Sequence, residues 1–233
     1  MDRPVDPMDD PRPDKIRRRI AEEAARIVAQ GGDSQRARFR AARRVTHGWV
    51  PEQQLPTHDE IRREVGRGHA ANISPDADRF DRIAALVRVL ENVKQDPARH
   101  PEGDALEHSL QVFDLVREER PFDEELLTAA LVHDVGKAID RTDHVAAGVA
   151  ALGGAITPRT RWLVESLEAA HAHGDRTLGH RARQRLEAHP DFLDVLLLAG
   201  ADRRGRVRGY AAPSLEEAVA LLRGLEQDGE ATG

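Results

Sequence analysis

Residues 126–137 read LLTAALVHDVGK, an apolar run that closes on a histidine, an aspartate, a glycine and a lysine. Leu126, Leu127, Ala130 and Leu131 share one face at helical spacing, which predicts a helix from Asp123 to about Val135. His133 lies three residues beyond Ala130 and Asp134 three beyond Leu131, so both side chains should turn toward the core. A carboxylate in that position is costly unless it is paired or bound to a metal ion.

The same pattern recurs on either side. His108 aligns with Ala105, Val112 and Leu115 on a helix predicted from Asp104 to Glu119. Asp202 follows Phe192, Val195, Leu196 and Ala199 on a helix that starts at Pro190. His171 continues the stripe of Leu163, Val164 and Leu167, on a helix opened by Thr157-Pro158 with proline at its favoured first position. His173, two positions on, should point elsewhere. His144 begins a short helix of small and apolar residues that Gly153-Gly154 closes. Separate helices thus each send a His or an Asp inward. Imidazole with carboxylate suits Zn, Fe, Mn, Co or Ni.

The rest of the chain reads as helical too. Phe80, Ile83, Leu86, Val87, Leu90 and Val93 form a wide stripe ended by Pro97, and Ile16, Ile20, Ala24 and Ile27 another, stopped by Gly31-Gly32. A short helix is predicted from Gln35 to Val45. Thr57-His58-Asp59-Glu60 and Ser214-Leu215-Glu216-Glu217 have the form of capping boxes. No alternating strand pattern and no internal repeat is visible. The fold class is therefore all-α. The division is a disordered Pro-rich lead at 1–13, a small helical region at 14–77, a main domain at 78–225 and a flexible tail at 226–233.

Composition narrows the function. With 233 residues and no cysteine, there is no disulfide framework, thiolate metal site or cysteine nucleophile. Aromatics are only 3%, so the core must come from Leu, Val, Ile and Ala, which favours helices. No run of 18 apolar residues occurs, and the acidic, Pro-rich start MDRPVDPMDD lacks the apolar segment of a secretory signal, so a cytoplasmic protein without membrane contact is expected. The net charge of −6 argues against nonspecific nucleic-acid binding by the whole surface. From Lys15 to Arg44, however, ten Lys/Arg face three Asp/Glu, either a solvated helical face or a footprint for RNA. Lysine occurs only at 15, 94 and 137, which singles out Lys137 as a compact ammonium three residues after Asp134, placed to meet a phosphate oxygen. Arg203, Arg204 and Arg206 follow Asp202 and could line a substrate entrance. His47, His58, His69, His180 and His189 lie beside polar or loop residues and read as surface histidines. His100 has no assigned role, though a place behind the ligands is open to it.

His108, then LVHDVGK with His133-Asp134, then Asp202 in AGADRRGR resembles the HD-domain superfamily of metal-dependent phosphohydrolases. The segment HPEGDALEHSLQ (residues 100–111) is similar to the HD domain that accompanies bacterial tRNA nucleotidyltransferases, but no nucleotidyltransferase head or paired-Asp motif is present, so the chain looks like a stand-alone HD protein. The resemblance covers roughly residues 78–225. It implies metal ligation by His108, His133, Asp134 and Asp202 and phosphate contact by Lys137. Binuclear members carry extra histidines, which His144 and His171 would match. The six residues would then hold two ions, with Asp134 bridging. The GYP tripeptide of the cyclic-dinucleotide phosphodiesterases is absent, since AHGDRTLG follows His171. The activity implied is hydrolysis of a phosphorylated small molecule, nucleotide or RNA end, with Asp134 and Lys137 as catalytic groups and Lys137, Arg203 and Arg206 on the substrate. A mixed-valent di-iron oxygenase and a non-catalytic RNA- or protein-binding module are the alternatives.

Overall fold

Helices build the chain because apolar residues recur every three to four positions and capping residues stand at the predicted starts. The structure, a computed structural model, describes residues 12–29, 34–46, 48, 50–70 and 77–232. Among these residues there is no β-strand, only one isolated bridge between Lys94 and Asp104. The fold is all-α. Two compact units are formed, Met1–Gly68 and His69–Gly233.

In the first unit, α1 (Arg12–Ala29) packs on α2 (Ser34–Thr46), and α3 (His58–Ala70) follows. Its core is small: Ile20, Ala24, Ile27, Ala37, Ala41, Leu55 and Ile61 are buried. The capping box at Thr57 forms, with the Thr57 N–H donating to Glu60 and the Glu60 N–H to the Thr57 hydroxyl. Several arginines of the basic stretch are tied down within this unit, Arg17 to Glu60, Arg38 to Glu52 and Arg44 to Glu23. Residues 1–11 of the predicted lead, and the Gly31-Gly32 stop, lie outside the described residues.

The second unit carries the chemistry. Helices α5 (Ala105–Glu119), α6 (Glu124–Val132), α8 (Pro158–Gly174) and α10 (Phe192–Arg204) pack in a ring of contacts, α5 on α6, α6 on α8, α8 on α10 and α10 on α5. Around them lie α4 (Arg79–Arg88), α7 (His144–Leu152), α9 (His180–Glu187) and α11 (Leu215–Thr232). The core is aliphatic, as the composition requires: Leu126, Leu127, Leu131, Leu163, Leu198 and Leu222 are fully buried, with Phe80 and Phe113. Helix α11 lies on α4 and is fastened by Arg223 to Asp78 and Asp81 and by Arg88 to Glu216. It continues to Thr232, through most of the stretch expected as a tail.

Two local features set the geometry of the ring. Arg159, in the first turn of α8, reaches Asp123, Asp191 and Asp194, and so joins the N-termini of α6, α8 and α10. Those carboxylates also suit the positive ends of the helix dipoles. The second feature is a break: α6 ends at Val132 rather than Val135, and a 3₁₀ turn over Val135–Ala138 follows. The turn can lie directly on α7 because Gly136 and Gly148 have no side chains. A Cβ on Gly136 would come within 1.6 Å of the His144 carbonyl oxygen.

Candidate metal centre

The end of α6 leaves carbonyl groups without helical partners. His133 takes one of them: its Nδ1 lies 2.8 Å from the Ala130 carbonyl oxygen and must donate its hydrogen there. The ring nitrogen left over, Nε2, then carries a lone pair. It is buried, has no hydrogen-bond partner, and faces Asp134 Oδ2 at 3.5 Å. His108 repeats the device from α5. Its Nδ1 lies 2.8 Å from the Gly205 carbonyl oxygen, which leaves its Nε2 facing Asp202 Oδ1 at 2.9 Å. Two acceptors do not approach that closely without a proton or a cation between them. The two rings stand edge to face, 5.4 Å between centroids.

Backbone carbonyls thus occupy Nδ1 of two histidines and leave Nε2 of each turned to the point that Asp202 also faces. Ligand atoms of His108, His133 and Asp202 all lie within 4.8 Å of one another, and Asp134 adjoins them through His133. Donor chemistry, burial and the orphaned His133 Nε2 all fit a bound cation. Gly205, at the end of α10, and Gln111, midway along α5, make this possible. Gly205 packs so tightly on α5 that a Cβ there would lie 2.8 Å from the Val112 side chain. The Gln111 side chain clamps Val207, donating to its carbonyl and accepting from its N–H. Asp114 accepts from the Tyr210 hydroxyl. His108, Gln111 and Asp114 stand three residues apart, one polar stripe that seats the segment after α10. Neither Gly205 nor Gln111 stood out in the sequence; three buried polar residues at that spacing on an apolar helix were the available signal.

Electrostatics follow the same geometry. Burial disfavours charge on His108, but the Asp202 hydrogen bond and the Asp134 and Asp202 charges outweigh it and raise its pKa above the ordinary imidazole value. Burial dominates at His133 and lowers its pKa, despite the same carboxylates. Both carboxyls are held below the usual range. At Asp134 burial is outweighed by His133, Lys137 and His108, and at Asp202 by hydrogen bonds from His108 and His171.

His171 occupies a different position from the two preset histidines. The Arg203 Nε–H donates to His171 Nδ1 at 3.1 Å, and a guanidinium can only donate. The lone pair is therefore on Nδ1, and Nε2–H donates to Asp202 Oδ2 at 2.6 Å. In this arrangement His171 holds Asp202 and offers no lone pair to a cation. His173 turns to Glu187 instead. His144 starts α7, half-buried, and belongs to neither group of close ligand atoms among the described residues.

The cations expected near the site are placed as follows. Lys137 donates to Asp134 Oδ2 at 2.6 Å and to Gln95 at 3.2 Å. Arg206 Nη2 lies 3.5 Å from Asp202 Oδ1, and its buried Nε has no partner. Arg203 is bound to His171 and Asp175, and Arg204 pairs with Glu119 away from the cluster. Of the histidines read as surface residues, His189 stacks on Trp162 at 3.5 Å between centroids, while His47 and the His69 side chain lie outside the described residues.

The fold and site together define an all-α protein with a buried histidine–carboxylate cluster able to hold a metal ion. No family model matches the chain, and no curated protein matches it. No helix among the described residues is long and apolar enough to cross a membrane.

Proposed function

We propose that this chain is a metal-dependent phosphoric ester hydrolase of the HD-domain type, acting on a nucleotide, an RNA end or another small phosphoester. The observation that carries the reading is the convergence of His108 Nε2, His133 Nε2 and Asp202 Oδ1, with Asp134 beside His133 and the Nδ1 of both imidazoles taken up by backbone carbonyls. These four residues would hold one divalent transition-metal ion. A bound ion would supply a hydroxide by acidifying its water and would neutralise charge on phosphoryl oxygens.

The chain's own groups do the positioning. Lys137 has three N–H donors and spends two on Asp134 and Gln95, which leaves one for a phosphoryl oxygen beside the carboxylates. Arg206 adds an unpartnered buried Nε–H on the Asp202 side. His171, locked by Arg203, keeps Asp202 oriented so that Oδ1 stays with His108. A carboxylate-walled cluster with cations on two sides suits an anionic substrate better than a neutral one.

The test is elemental analysis of protein purified without chelators, followed by hydrolysis assays with Mn, Co, Ni or Fe(II). The substrates are bis(p-nitrophenyl) phosphate, a 2′,3′-cyclic nucleotide and a nucleoside monophosphate. A bound ion near one per chain and metal-dependent phosphate-ester cleavage are expected. Protein that binds no divalent ion, or turns over none of these esters with any of them, would overturn the reading.

A further inference from the structure

Behind His108, on the side away from Asp202, lies a second carboxylate that the site above does not use. The Glu102 side chain is fully buried, at 0% exposure. Its Oε1 accepts from His100 Nδ1 at 2.9 Å and lies 3.1 Å from His108 Nδ1. Its Oε2 is buried with no hydrogen-bond partner. The His100 ring nitrogen is turned to this oxygen, while the one hydrogen on His108 Nδ1 goes to Gly205 and passes beside the carboxyl. Burying such a group with one oxygen unsatisfied is costly, and the fold contains a device for it. Gly103 adopts φ 126°, which side chains rarely tolerate, in the turn between Glu102 and the Asp104 cap of α5. The turn points Glu102 inward and starts the helix that carries His108.

His100, Glu102 and His108 could be taken for a cation site of their own, because their ligand atoms are mutually close. The hydrogen-bond pattern speaks against it. His108 Nδ1 donates to Gly205, so it has no lone pair on this side.

We propose that Glu102 is a positioning residue for His108: its charge lies against the Nδ1–H and, with the Gly205 carbonyl, fixes the ring and makes Nε2 a stronger donor to the metal ion. The proposal rests on the metal centre of the preceding subsection. Carboxylates behind metal-bound histidines commonly contribute about 10–100-fold in metal affinity. His100 holds Glu102 from the far side through Nδ1, and its ring stands edge to face on His108, 5.3 Å between centroids.

The two roles separate by experiment on the full chain, stripped by chelation and titrated with Co(II) alone, with calorimetric Kd, the Co(II) visible spectrum and thermal unfolding as readouts. Glu102→Gln should weaken Co(II) binding about 10–100-fold and shift the Co(II) absorption. His100→Gln should lower the unfolding temperature yet leave the Kd within about threefold, because Glu102 still faces His108. A Glu102→Gln protein that binds Co(II) as tightly as the unaltered chain overturns the positioning role and leaves the metal centre standing. Equal affinity losses in both variants, tracking their loss of stability, overturn it as well. Should Glu102→Gln not fold, Glu102→Asp, whose shorter carboxylate retreats from His108, takes its place, and unchanged affinity there has the same meaning. Failure of the unaltered chain to bind Co(II) removes the centre itself, and this proposal with it.

Discussion

His133 concentrates the argument in one side chain. One nitrogen satisfies a helix-end carbonyl, and the other is a buried lone pair with nothing to bond. Truncation to alanine should abolish divalent-metal binding, measured by calorimetry, and reduce metal-dependent ester hydrolysis by a factor of ~10² or more. His173→Ala should change neither, because that ring faces Glu187. Lys137 stood out in the sequence and lies 2.6 Å from Asp134 Oδ2 in the structure, and on the proposed function Lys137→Ala should raise KM or lower kcat for the ester while leaving the metal Kd within a few-fold. The histidines themselves stood out in the sequence because polar residues on apolar stripes are conspicuous. Glu102 and the locking of His171 did not, because their meaning depends on which nitrogen of a distant ring carries the hydrogen.

The helices respond to local rules, and their perturbations should be correspondingly local. Ser214 caps α11 through reciprocal bonds with Glu217, so Ser214→Ala should cost about 1 kcal/mol in denaturant titration without affecting the metal centre. Gly136 is a harsher case. Its Cβ would sit inside the backbone of α7, so Gly136→Ala must push the 3₁₀ turn and α7 apart, at a cost of about 3 kcal/mol or more and with loss of metal affinity. The sequence pattern carried α6 on to Val135. The structure stops it at Val132, because the His133 side chain competes for a helix carbonyl and the turn needs room against α7. The helix at 180–187 was not anticipated: its residues are polar and mostly exposed, with only Leu186 buried, so it has no stripe to find.

For the whole molecule, the junction at Arg159 offers a pH test. Burial tends to raise the Asp123 pKa, but hydrogen bonds from Arg159 and the Leu126 N–H outweigh it and hold the carboxyl below its usual value. A depressed folded pKa stabilises above the unfolded value of about 4 and loses that contribution as pH falls through the folded value. Stability should therefore decline as pH falls below about 4, and Arg159→Ala should flatten this part of the curve while lowering stability near neutrality. Metal linkage provides a second test. An ion bound at His108, His133 and Asp202 would join α5, the end of α6, and α10. Chelation should then lower the unfolding temperature, and excess Co(II) should restore it in proportion to the logarithm of free metal.

The all-helical class, most helix positions, both Ser/Thr capping boxes and the inward-facing His and Asp residues could be read from the chain alone, because period and capping act within a few residues. The tautomers, the Gly205 carbonyl behind His108, the Gln111 clamp and the Glu102 support were decided only by the tertiary structure. His108 and Gly205 stand 97 positions apart, and such a pair leaves no periodic trace in either segment. The proton's position on a histidine ring is set by whatever packing brings against it, and the packing exists only once the bundle has closed.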